Sequence, residues 1–465
     1  MGSMQNILKG SLKVFIGTTL VSMLSACGSD SSSEKIEIPE SKVPPLVEKI
    51  EIPNEKFRLA LSVSPFSEYV LSNVSISDGK YEATNVEELQ KLFMIHGSNE
   101  LYQRISTLKY SPQGEDADHG WGRGIERAKL AAKLGLPFNP EISLFDGYGD
   151  GGTQYDSPNF KDYPEIQVPE GDWRLLTLQQ MLPPLRQYGA AIAKQILDTG
   201  VTVNYWNLGN EIDNGIAGVA LEAPIPSSTH AEFIPAINVD PLIAQHKTLD
   251  WLELSEDERI AWEKKHLWPY IAQILSAVKE GILSVDPNAK FSTHTTAILN
   301  YQSPKVILAF YDTLAENGFI PDQFGTSLYP TSGYFGGYNA EYLENFKSIA
   351  LALKSKYNRK IFIAEYGYND IPVTAGAYTW NFPPVGYQLD EQGAANFTKT
   401  LIKWGIESDT LAGVRPWAPD YVVSTASKVP SETWQPFSLF HINGKQTSPK
   451  LLFNTYKDAV LETIK

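Results

Sequence analysis

The stretch VNYWNLGNEIDNG, residues 203–215, carries an apolar run that reads as a buried strand and ends it on an Asn-Glu pair, Asn210-Glu211. A carboxylate at the end of a core strand is costly unless its surroundings use it. Strands that end in polar or aromatic residues are what the C-terminal rim of a parallel barrel looks like, because functional side chains project from there. Seven more runs of this kind can be counted: FRLALSVSP (57–65), LYQRIST (101–107), FNPEISLF (138–145), KFSTHTT (290–296), QFGTSLYP (323–330), KIFIAEYG (360–367) and AGVRPWAP (412–419). Amphipathic helical stretches fill the gaps, for example 124–135, 185–200, 266–287 and 342–357, with Gly135 and Gly200 where C-caps belong. Eight strands alternating with helices predict a single (β/α)8 TIM barrel over residues 56–465. The long connections 146–184 and 212–265 are expected to form the walls of a cleft.

Upstream of the barrel the sequence changes character. Lys9 and Lys13 precede the apolar run VFIGTTLVSML, which ends in SAC at Cys27 and gives way to GSDSSSEK. This is the form of a secretion signal with a small-residue cleavage site, and it is too short to span a membrane. LSAC, which closes the signal region 1–27, resembles a bacterial lipobox, which implies cleavage before Cys27, a lipid on Cys27 and a membrane contact through that anchor alone. An ordinary signal with an incidental Cys is the alternative. Cys27 is the single Cys, so the exported body is expected to hold no disulfide. Residues 28–55, rich in Ser, Glu and Pro, lack the apolar content for a core and read as a flexible tether.

The formal charge of −15 argues against a nucleic-acid partner, since phosphate binding needs a basic stripe. The 23 Tyr, 20 Phe and 10 Trp suit a neutral partner with flat apolar faces, such as a sugar. Two glutamates at matching rim positions sharpen this. Glu211 ends the fourth strand and Glu365 ends the seventh, and these strands can face each other across a barrel mouth. Cleaving a glycosidic bond with retention needs one carboxyl to protonate the leaving oxygen and another, about 5–5.5 Å away, to attack the anomeric carbon. Either glutamate alone also fits a loop carboxylate.

At these residues the sequence resembles glycoside hydrolase clan A, the retaining (β/α)8 glycosidases. The resemblance spans most of 56–460 and rests on GNE (209–211) and AEYG (364–367). It implies Glu211 as acid/base, Glu365 as nucleophile, and Asn210 as the partner of the sugar 2-hydroxyl. It further implies Arg104 as support for the nucleophile, Tyr329 as an aromatic whose hydroxyl touches it, and Trp417 as a platform under the sugar. Arg104 also fits a structural ion pair, Tyr329 and Trp417 also fit core aromatics, and His294 fits cleft or core equally. LGNEIDNG, GTSLYPTSG and GVRPWAPDYV look most like the arabinogalactan endo-β-1,4-galactanases. That family usually reads Glu-Thr at strand 7, where this chain has Glu-Tyr-Gly, and its calcium loop is not recognisable here. YWNLGNEID is also similar to the α-L-arabinofuranosidases of the clan.

Trp121 in HGWGRG and Tyr148 in GYGDGG follow strands 2 and 3 and are candidate sugar-stacking groups; loop glycine runs are the plain alternative. GYGDGG lacks the spacing of a dinucleotide-binding turn. Seven His without an HExxH pair, and one Cys, give no zinc or iron signature, and no cofactor is implied. The expectation is an endo-acting hydrolase of a polysaccharide or oligosaccharide, monomeric, with galactan or arabinogalactan first. An exo-acting enzyme, another β-glycanase or arabinofuranosidase, and a non-catalytic glycan-binding lipoprotein remain alternatives.

Overall fold

Eight parallel strands form one curled sheet: β1 (Arg58–Leu59), β2 (Leu101–Ile105), β3 (Phe138–Ile142), β4 (Trp206–Leu208), β5 (Phe291–Thr295), β6 (Gln323–Leu328), β7 (Ile361–Tyr366) and β8 (Leu411–Pro416). Their order is β1-β8-β7-β6-β5-β4-β3-β2, the sequential arrangement of a (β/α)8 barrel. Each coincides with a run expected from the sequence, although β1 and β4 are shorter than those runs. Between the first and last strand of the sheet, Asn99 N–H donates to the Leu59 carbonyl at 3.0 Å. Tyr102 N–H donates to the Ser62 hydroxyl at 3.0 Å.

This computed structural model describes residues 52–110, 118–146, 156–220, 236–243, 254–296, 304–334, 337–338, 341–375, 378–422 and 435–464. All lie in one compact unit, Ser41–Lys465. Cys27, nearly all of the tether and Tyr148 lie outside the described residues. No helix among the described residues is long and apolar enough to cross a membrane.

Helices follow every strand, including Trp121–Leu134 after β2, Leu178–Leu197 after β3, Trp268–Leu283 after β4 and Glu391–Glu407 after β7. Gly135 ends the first in the left-handed region at φ 67°, as its sequence position suggests. Two boundaries differ from expectation. The helix expected at 185 begins at Leu178, ahead of Pro183 and Pro184, because a Thr177/Gln180 capping box nucleates it. The stretch expected from 266 to 287 forms one helix, Trp268–Leu283, which starts after a break at Leu267 that parts it from a preceding helix, Glu256–His266.

The expected cleft walls meet. In the connection after β3, Trp173 donates its indole N–H to the Ala217 carbonyl at 2.8 Å. Ala217 belongs to the small hairpin, Gly215–Ile216 with Val219–Ala220, that follows β4. The connections after β6 and β7 pair with each other through Ser332–Tyr334 and Tyr378–Trp380, building a four-stranded antiparallel sheet.

Candidate active site

A barrel interior is usually filled by branched aliphatic side chains. Here much of the inward-facing set is polar and paired. At one level Arg58 of β1 donates to both oxygens of Glu100 and to Gln323. At another, Glu141 of β3 is fully buried. Its Oε1 accepts from Tyr102 Oη at 2.9 Å and Arg104 Nε at 2.8 Å. Its Oε2 accepts from Asn207 Nδ2 at 2.6 Å and Arg415 Nη2 at 2.5 Å. Burial alone would push Glu141 up, but the Arg415 and Arg104 guanidiniums, with His294 nearby, hold it well below the usual carboxylate range. The Arg415 guanidinium also lies over the Tyr102 ring, 3.5 Å from its centre.

Arg104 carries this network up to the rim. The Nη2 that donates to Glu365 Oε1 also donates to Asn210 Oδ1, at 2.8 Å. Glu365 Oε2 accepts from Tyr329 Oη at 3.0 Å. The guanidinium stands 4.9 Å from the centre of the Trp417 ring. Thus Arg104, Asn210, Glu365, Tyr329 and Trp417, drawn from five strands of the barrel, form one buried cluster. Burial raises the Glu365 carboxyl above its ordinary value; Glu141 adds to this, while Arg104, Arg415 and the Tyr329 hydroxyl act against it.

Local backbone explains how two of these groups reach their places. After β4, Gly209 takes φ 77° and Glu211 takes φ 52°, ψ 52°, the left-handed region that side chains normally avoid. A Cβ on Gly209 would lie 2.4 Å from Ile212 Cγ2, so no other residue fits there without displacement. This turn leaves Glu211 half-buried, in contrast with the fully buried Asn210 before it. A strained non-glycine residue of this kind is a recurrent mark of functional sites. On β7 the alternation of a strand points Glu365 inward and Tyr366 outward, where the Tyr366 hydroxyl pairs with Thr398 at 2.6 Å. Gly367 follows because Tyr329 and Phe437 press on it: a Cβ there would lie 2.8 and 2.7 Å from their rings. Gly367 is therefore a packing requirement of Tyr329 and Phe437. Beneath Tyr329, its N–H donates to Tyr342 Oη at 3.3 Å. The Tyr342 phenol is pushed up by burial and, in smaller part, by the Glu211 charge.

Other expected residues sit differently. His294 is fully buried at the Glu141 level instead of lining an open cleft. Its Nδ1 faces Asn207 Nδ2 at 3.3 Å and Glu141 Oε2 at 3.6 Å. Burial, helped by the two arginines, pushes it down to about 3, so the ring is neutral. Trp121 starts its helix packed on Tyr163, ring centres 5.5 Å apart, with Lys109 over its face. Apart from these, a cleft of about 540 Å³ is lined by Asp146, Asp156, Asn159, Trp173 and Arg174. Among the described residues no group of three or more His, Cys, Asp or Glu is placed to hold a metal. Missed altogether were Glu141, Arg415, Tyr102, Asn207 and Phe66. Phe66 sets its ring edge-on to Trp417 at 6.4 Å and against Tyr421 at 4.6 Å.

Comparison with known proteins agrees with this architecture. The family model "Glycosyl hydrolase family 53" matches residues 242–453, which include Tyr329, Glu365 and Trp417. Among solved structures, the chain is similar to a family 53 catalytic domain from Ignisphaera aggregans, at 17% identity and a TM-score of 0.58. That alignment covers 90% of this chain and 98% of the other. It is similar in the same degree to fungal β-1,4-galactanases, at 16% identity and a TM-score of 0.58, over 86% of this chain and 99% of the other. No curated protein sequence matches the chain. The expected resemblance to clan A, galactanase-like, and the expected barrel are thereby borne out.

Proposed function

We propose that this chain, a glycoside hydrolase of the clan A, galactanase-like kind, is a retaining endo-glycanase whose nucleophile is Glu365 and whose acid/base is Glu211. The observation that carries the assignment is the Arg104 guanidinium, which binds Glu365 and Asn210 from one nitrogen and so joins the ends of β7 and β4 at the rim. Tyr329 and Arg104 each hold one oxygen of Glu365, which fixes the orientation of the carboxylate for attack on an anomeric carbon. Glu365 attacks that carbon as the glycosidic bond breaks, and Glu211 gives its proton to the leaving oxygen. Glu211 then takes a proton from water, which displaces the sugar from the Glu365 ester. Asn210 is assigned to the sugar 2-hydroxyl, Trp417 to the face of the ring at the cleavage point, and Trp121 to a more distant sugar. His294 acts from below through Asn207 and Glu141.

β-1,4-Galactan or arabinogalactan is the first substrate assignment. It is supported by the family 53 match over strands β5–β8 and by the resemblance around Glu211. For residues 1–55 we propose export, cleavage before Cys27, and a lipid anchor carrying the enzyme on a flexible tether. The test is product analysis of the protein lacking residues 1–27 against galactan, arabinogalactan, arabinan, mannan, xylan and mixed-linkage glucan. A ladder of oligosaccharides from galactan supports the assignment. A ladder from another glycan moves the substrate, a single small sugar means exo action, and retention on a glycan without products means a binding protein.

A further inference from the structure

We propose that Glu141 is a positioning residue for the reaction: it holds Arg104 in the attitude that serves Glu365 and, as a second carboxylate, divides the arginine charge that the nucleophile would otherwise face alone. The inference rests on the assignment of Glu365 as nucleophile. Its basis is the connectivity of four charged groups in a row: Arg415, Glu141, Arg104, Glu365. Both ends of the Arg104 fork are occupied by carboxylates, Nε by Glu141 and Nη2 by Glu365. Arg415 holds the other oxygen of Glu141. Two positive and two negative groups therefore share one almost fully buried site with no net charge.

If Arg104 alone faced Glu365, its full charge would stabilise the carboxylate ground state and weaken it as a nucleophile. Glu141 draws on the same guanidinium from its other edge and so returns basicity to Glu365. Besides Arg104 and Glu141, the charged and titratable groups acting on Glu365 are Arg415 on β8 and Tyr329 after β6, and the buried His294 and His119 lie by Glu141 and Arg104. The two histidines are both depressed by burial and neutral. Glu141 thus supplies the opposing charge among them at the Arg104 edge. A purely structural ion pair would require only that Glu141 and its arginines be kept together; the proposal requires that their charges reach Glu365.

The signs of two substitutions separate these cases. Glu141→Gln removes a negative charge and should move the acid limb of the kcat/KM profile to lower pH, with kcat falling about 10²-fold through misplacement of Arg104. Arg415→Gln removes a positive charge and should move the same limb to higher pH. Glu141→Asp keeps the charge and should keep the wild-type limb while recovering part of the rate. Circular dichroism shows which variants fold, and either of the first two suffices to read a direction. Limbs that stay at the wild-type position, or that move together, would overturn the proposal. Glu365→Ala, run alongside, keeps the outcomes distinct. If it retains turnover the nucleophile assignment falls; if it is inactive while the limbs stay fixed, only the role of Glu141 falls.

Discussion

Replacing Gly209 with Ala tests whether the turn after β4 was built to present Glu211. Two costs can be worked from the geometry. At φ 77° a side chain pays the left-handed penalty, about 1–2 kcal/mol. The new Cβ would also lie 2.4 Å from Ile212 Cγ2 and 3.0 Å from Ile216 Cδ1, and both isoleucines are fully buried. Overpacking a filled core costs about 1–3 kcal/mol more, for a total of about 2–5 kcal/mol. Relief requires the segment 209–216 to shift, and Glu211 lies within it, so a displacement near 1 Å predicts a fall in kcat of about 10²-fold. Gly135→Ala is the control, because Gly135 has φ 67° but nothing within 4 Å of a Cβ. It should lose only the conformational cost, about 1–2 kcal/mol, and keep full activity. Urea unfolding and kcat/KM on the responsive polysaccharide read both terms. If Gly209→Ala and Gly135→Ala prove alike in stability and turnover, the crowding argument and the positioning of Glu211 by this turn are wrong.

For Glu211→Ala, turnover of an aryl glycoside with a good leaving group should survive far better than polysaccharide cleavage, since such a group departs without a proton; equal losses would count against the acid role. Arg104→Lys should lower kcat about 10²-fold with little change in KM, because an ammonium cannot bridge Glu141, Asn210 and Glu365 as the planar fork does. An unchanged kcat would show that the fork is dispensable. Stability at low pH should depend on Glu141. Its folded pKa is depressed, so its contribution is present above the unfolded value, about 4.3, and is lost as pH falls from there toward the folded value. Urea titrations at several pH values should show wild type losing stability on acidification more steeply than Glu141→Gln, and parallel slopes would refute it. Glu365 runs the other way: its raised value means that activity, which needs the ionised form, declines earlier on acidification than for an ordinary glutamate.

Much of the barrel was legible because each parallel strand is buried on both faces and so stands out as a short apolar run bounded by polar residues. The rim was legible for the same reason: Asn210-Glu211, Tyr329, Glu365 and Trp417 each interrupt or close such a run. Glu141 was not, although it sits inside the run 138–145. A charge in a core strand has meaning only through its partners, and Arg104 and Arg415 lie 37 and 274 residues away in sequence. Arg415 was hidden likewise between apolar neighbours in GVRPW. His294 illustrates the limit from the other side: its strand and inward direction follow from the pattern, but depth below the rim depends on barrel stagger, which a single sequence does not record. The early start of the helix at Leu178 does leave a signal in the sequence, the Thr177/Gln180 capping box ahead of Pro183 and Pro184.

The central claim is that Glu365 forms a covalent bond to the sugar. Its most direct test is to inactivate the enzyme with a 2-deoxy-2-fluoro glycoside bearing an activated leaving group, matched to the responsive glycan, and to map the labelled peptide by mass spectrometry. The account predicts one sugar per chain, esterified to Glu365 within β7 and released slowly by hydrolysis. A label on another carboxylate, or hydrolysis with inversion and no trapped ester, would contradict it.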